Sequence, residues 1–127
     1  MPLDDANWPI VEVDETTEIL IRARGFLERG WCQNTLARDA DGNAIKPISE
    51  RVVAWCAIGA VDATRMPWDT AAKMGLRRLE AAIGGKPIND FNDRQTTVGP
   101  ILAAFDRAIG SAASPETNKP VLSIRDR

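Results

Sequence analysis

Histidine and tyrosine are absent from the 127 residues, and cysteine occurs twice. Without histidine there is no Ser-His-Asp triad, no Cys-His pair, no imidazole metal site and no imidazole pH switch. The cysteines, Cys32 and Cys56, stand 24 residues apart with no C-x-x-C. A structural zinc site needs about four nitrogen or sulfur ligands, so no metal is expected. A disulfide is not expected in a reducing compartment. Long apolar runs are also missing. The longest uncharged one, Val52 to Val61, has ten residues, against about 20 for a bilayer crossing. Met1-Pro2-Leu3-Asp4-Asp5 offers neither a basic nor an apolar leader region, so no signal peptide and a cytoplasmic location are expected. Gly84-Gly85 and Gly99-Pro100 match no phosphate-binding loop, and no cofactor is expected.

Basic excess is lacking as well. The net charge is −2, the pI about 5.1, and the longest run among 16 basic residues is Arg77-Arg78. A duplex nucleic-acid binder usually carries a basic face, so this balance argues against such a partner. The acid is concentrated: residues 1–20 carry −6 and the remainder +4. We read the acidic start as a solvated end that complements a helix N-terminus.

The composition present is that of a globular domain, with 44% hydrophobic and 27% charged residues. A chain this long buries roughly two-thirds of its unfolded surface and needs no staple. The expectation is one domain over residues 1–127: an extended lead-in at 1–13, a helical core at 14–111 and a flexible tail at 112–127. Asp14 caps helix 1, about 15–29, with Ile19, Leu20, Ala23, Phe26 and Leu27 at helical spacing and Gly30 closing it. Asp41-Gly42 between short runs predicts a small hairpin. Helix 2 begins near Ser49, or as late as Ala54 if Arg51 to Ala54 are extended, and runs to about Thr64. Helix 3, about 70–83, is capped by Asp69 or Thr70 and stopped by Gly84-Gly85. Lys86 to Gln95 reads as a polar loop. Thr96 or Thr97 then caps helix 4, which carries Val98, Leu102, Phe105 and Ile109 and closes at Gly110. The fold class is therefore mainly α, a four-helix bundle with a small β-hairpin between helices 1 and 2. Trp31-Cys32 recurs as Trp55-Cys56, but the flanks do not match and no repeat is assigned.

Several segments together carry a resemblance: Arg29-Gly30-Trp31-Cys32-Gln33, Arg38-Asp39-Ala40-Asp41-Gly42, Trp55-Cys56-Ala57-Ile58-Gly59-Ala60, Phe91-Asn92-Asp93, Thr97-Val98 and Phe105-Asp106-Arg107-Ala108-Ile109. In order and spacing they resemble an uncharacterised family of small bacterial and phage-encoded proteins, a domain of unknown function. The likeness covers roughly residues 17–110, with Phe91 where tryptophan is expected. It implies a compact helical fold and a prokaryotic or phage origin, and no chemistry.

The candidate binding residues are Trp8, Trp31, Cys32, Asp39, Asn92 and Asp93. Asp90 and Asp93 are of a type that serves as an acid–base pair or as hard-cation ligands, whereas Asn92 and Asp93 equally suit tying a loop to the orphan N–H groups of helix 4. Asp39 to Asn43 resembles part of a calcium loop, but Gly42 at position 6 puts Ala37 at 1 and Ile48 at 12, which rejects it in favour of the turn. Cys56 reads as a buried hydrophobe inside helix 2, and Cys32 as the more exposed thiol. Of four tryptophans, Trp8 and Trp31 are the surface candidates, a residue type enriched at binding hot spots. No catalytic residue is assigned. The expectation is a non-catalytic protein-binding or self-associating module, such as a phage accessory protein that inhibits host defence. The alternative is a small enzyme or ligand binder built where the Trp31-Cys32 turn, the hairpin and the Asn92-Asp93 loop converge.

Overall fold

The computed structural model describes residues 14–113. The expectations for 1–13, including Trp8, and for 114–127 lie outside these described residues. The chain is mainly helical: α1 (Glu15–Arg29), β1 (Ala37–Arg38), β2 (Ala54–Trp55), α2 (Ala57–Thr64), α3 (Thr70–Ala82), α4 (Ile88–Arg94) and α5 (Gly99–Ala113). The strands form one two-stranded antiparallel sheet, with Ala37 opposite Trp55 and Arg38 opposite Ala54.

Helix α1 is the hub of the packing and meets α2, α3 and α5. It starts because the Asp14 carboxylate accepts a hydrogen bond from Thr17 N (2.7 Å), filling one orphan donor, while Glu15 and Glu18 complement the helix dipole. Its stripe of Ile19, Leu20, Ala23 and Leu27 is buried together with Val61, Leu79, Ile101 and Phe105. Polar links fix the helix pairs around this core. Arg24 reaches Asp106 on α5, Arg78 on α3 reaches Asp14 and Thr17, and Thr16 Oγ1 donates to Ala71 O (3.0 Å). Asp69 caps α3 through Ala72 N, and Gly84 and Gly85 end it at φ of 82° and 85°, a left-handed backbone that glycine adopts without strain. Helix α5 runs on past Gly110 to Ala113, and it buries Ile101, Ala104, Phe105 and Ala108, while Val98, Leu102 and Ile109 are half-buried.

Three features differ from the sequence expectation. The polar loop at 86–95 contains a fifth helix, α4. Pro87, which has no N–H, occupies its N-cap, and Glu80 Oε2 accepts from Ile88 N (3.1 Å). Ile88, Phe91 and Asn92 then turn inward at helical spacing. The second difference is the sheet. The turn at Asp41-Gly42 is present, with Gly42 at φ 85°, but its arms meet only at one bridge, Arg38 to Ala44; the partner of β1 is β2. Third, Val52 and Val53 are extended and α2 begins only at Ala57, so Cys56 is its N-cap and not an interior residue. Tertiary pairing overrides helical spacing here: Val53 N donates to Arg38 O, Cys56 N to Leu36 O and Trp55 N to Gly30 O.

Glycine is required at two of these approaches. A Cβ on Gly30 would overlap the Val53 carbonyl oxygen, and one on Gly59 would overlap the Leu36 carbonyl oxygen. Gly30 itself sits at φ −175°, which any residue adopts, so closeness and not handedness selects it.

Asp62 on α2 is buried. Burial pushes its carboxyl above the ordinary value of 3.8, and the Trp68 indole approaches without closing a hydrogen bond that would offset this. The native state therefore holds this proton more tightly than the unfolded chain. Asp62 lowers stability as pH rises from 3.8 through its native value, and the penalty is complete at neutral pH. Asp14 has the opposite sign. The Thr17 N–H holds its carboxyl low, so its contribution is in place above 3.8 and is lost as pH falls through the native value. We expect Asp62→Asn to raise the melting temperature at neutral pH and to lose that advantage in acid below the model-peptide carboxyl value. Asp14→Ala should cost about 1 kcal/mol at neutral pH and progressively less in acid. Calorimetric melting across the pH range checks both.

Candidate functional site

The site is organised by one side chain, Asn92, which is fully buried on α4. Its Oδ1 accepts from Trp31 Nε1 (3.0 Å) and from Ala57 N (3.0 Å), the first residue of α2. Its Nδ2 donates to Cys32 O (3.1 Å) and to Asp93 Oδ1 (3.1 Å). A carboxamide has two acceptor and two donor positions, and all four are filled. The two groups facing Oδ1 are obligatory donors and Cys32 O is an obligatory acceptor, so the amide has one orientation. The expected role in capping the following helix is corrected: Asn92 satisfies the N-terminus of α2, together with Cys56 Sγ, which accepts from Gly59 N (3.3 Å).

Neighbouring turn residues hold α4 from its other end. Gln33 Nε2 donates to Asn92 O (3.1 Å) and Gln95 O (2.6 Å), satisfying carbonyls that the short helix leaves open. Asn34, at φ 69°, donates its N–H to Asp93 Oδ1 (2.9 Å). Asparagine tolerates this left-handed conformation better than most residues. Asp93 is exposed and forms one wall of a cleft of about 280 Å³ with Asn34, Thr35, Leu36, Cys56 and Asn89.

This chain belongs to the Family of unknown function (DUF6197). The match spans residues 12–111. No curated protein and no solved structure matches the chain.

In this DUF6197 domain, four of the candidate residues, Trp31, Cys32, Asn92 and Asp93, come together. Asp39 stands apart. Its carboxylate accepts from Asp41 N (3.0 Å) and Asn43 N (2.9 Å), and the Asn43 bond chiefly holds its pKa low. Trp31 is half-buried with its indole N–H turned inward to Asn92, and Trp55 packs on Phe26 with ring centroids 4.7 Å apart. Cys32 was read as the more exposed thiol, but it is only 8% exposed; burial, with Cys56 next, pushes it up to about 11. Cys56 is also raised, chiefly by burial. Both are thiols at neutral pH, which is the wrong state for a nucleophile. Among the described residues, no three His, Cys, Asp or Glu side chains converge as metal ligands, and no helix is long and apolar enough to cross a membrane.

Sequence reasoning missed Gln33, Asn34, Asn89 and Gln95. Gln33 lies within the quoted Gly30-Trp31-Cys32-Gln33 segment, but nothing local marks an amide whose acceptors lie 59 and 62 residues away.

Asn92→Ala strands the Ala57 N–H and the Cys32 carbonyl in the interior. We expect a loss of about 3–5 kcal/mol, from several buried groups at about 1–3 kcal/mol each. Asp93→Ala, at the surface, should cost about 1 kcal/mol or less. Urea unfolding of the two variants measures the contrast, and equal losses would contradict this account of Asn92.

Proposed function

We propose that this domain is a non-catalytic module that works by associating with another protein chain, a second copy being the occupant favoured here. The observation that carries the proposal is the distribution of unsatisfied surface. The polar groups around Asn92 are bonded to one another, whereas Leu36, Ile48 and Val53 stand 37%, 60% and 49% exposed on the strand-bearing segment. Large exposed apolar side chains gathered on one segment mark an interaction surface more often than isolated ones do. A net charge of only −2 offers little repulsion between copies. A cytoplasmic setting fits the sequence, and the resemblance to small bacterial and phage-encoded proteins supports an accessory role in a phage or mobile element, such as inhibition of a host defence.

Sedimentation velocity over a wide concentration range tests this. The wild type should associate as concentration rises, and a variant with Ile48→Glu and Val53→Glu should stay monomeric with an unchanged melting temperature. A wild type that is monomeric throughout overturns self-association.

A second reading, a small enzyme or ligand-binding protein, has one observation in its favour: the cleft between the Trp31-Cys32 turn and α4, walled by Asn34, Asn89 and Asp93. Ligand-dependent melting shifts that vanish in Asp93→Ala, without loss of intrinsic stability, would favour it over association.

A further inference from the structure

The repeated dipeptide meets itself in the fold. Trp55 N donates to Gly30 O (3.0 Å) and Cys32 N donates to Trp55 O (3.0 Å), which makes Trp31 and Trp55 partners across a parallel bridge. In parallel register the next residue on each chain is also opposite its counterpart, and opposed side chains leave the same face. That places Cys32 against Cys56 at one inter-strand spacing, about 4.8 Å. Disulfides span Cα separations of about 4.4–6.8 Å. Both cysteines are free and buried. Cys32 Sγ rests against Thr35 O at 3.8 Å, and Cys56 Sγ, which lines the cleft, accepts from Gly59 N.

We propose that Cys32 and Cys56 form a redox-responsive dithiol that closes to an intramolecular disulfide when a small disulfide oxidant enters the cleft. The balance is simple. The Cys56 thiol loses its proton and attacks one sulfur of the oxidant; a mixed disulfide forms and the other half leaves as a thiol. Cys32 then loses its proton and attacks the Cys56 sulfur, and the second half leaves as a thiol. Two electrons and two protons pass from the pair to the oxidant, whose own S–S bond is broken. In a reducing compartment the open dithiol is the resting form. The mutual proximity that disfavours ionisation of Cys32 beside Cys56 is the proximity that closure requires. Because the attacking group is the thiolate, closure accelerates with rising pH. The proposal stands independently of the association proposed above.

The test uses the reduced full-length protein under native conditions, with oxidised glutathione as the probe and intact-mass spectrometry with peptide mapping as the readout. The expected result is loss of both free thiols, a mass loss of two hydrogens, a Cys32–Cys56 linked peptide, and reversal by dithiothreitol. The closed form should melt cooperatively and at a higher temperature, since the cross-link restricts the unfolded chain. Cys32→Ser should instead stop at the glutathione adduct on Cys56. Three outcomes overturn the proposal: a wild type that keeps both thiols until it is denatured, one that accumulates glutathione adducts without closing, and one that links only between chains. Association in sedimentation is read separately, on the reduced protein, so the failure of either proposal is distinguishable from that of the other.

Discussion

The structure depends on a single buried carboxamide. Asn92 joins three segments that are distant in sequence: the turn after α1, the start of α2, and α4. An unpaired amide in an apolar interior is costly, so the benefit of this residue exists only when every partner is in place. That all-or-none character makes a seven-residue helix such as α4 persist, although a helix so short is marginal by its own hydrogen bonds. Gln33 and Glu80 finish the task by satisfying its two ends.

Around this anchor the remaining packing follows ordinary rules. Helix α1 is buried on several sides because α2, α3 and α5 all lie against it, and its apolar stripe meets theirs. Surface ion pairs such as Arg24 with Glu28 and Asp106 orient the helices and contribute little to stability, since their carboxylates remain more than half exposed. The tiny sheet is held differently, by backbone-to-backbone closeness at Gly30 and Gly59.

Much of this was legible in the sequence. The bounds of α1 follow from Asp14, the Ile19 to Leu27 stripe and Gly30, and α3 follows from Asp69 and Gly84-Gly85, because caps and helical spacing are local signals. The start of α2 was less legible: Val52 to Ala54 suit a helix or a strand, and the decision is made by β1 and Gly30, which lie far away in sequence. Helix α4 was hidden by its polar composition, although Ile88, Phe91 and Asn92 have the spacing of one inward face. At the candidate site, the gathering of Trp31, Cys32, Asn92 and Asp93 was legible as a set of turns, and its wiring was not. Asn92 bonds to residues 35, 60 and 61 positions away, and asparagine at a turn or at a buried junction looks the same in a linear string.

The Asp39 turn has a practical corollary. Its bonds are confined to Arg38, Asp39, Asp41, Gly42 and Asn43, and residues 40 to 44 are exposed. It is thus a self-sufficient knuckle on the perimeter, wired separately from the Asn92 junction. An epitope or a fluorophore grafted there would ride on the domain without disturbing its interior, which gives a handle for following this molecule inside a cell.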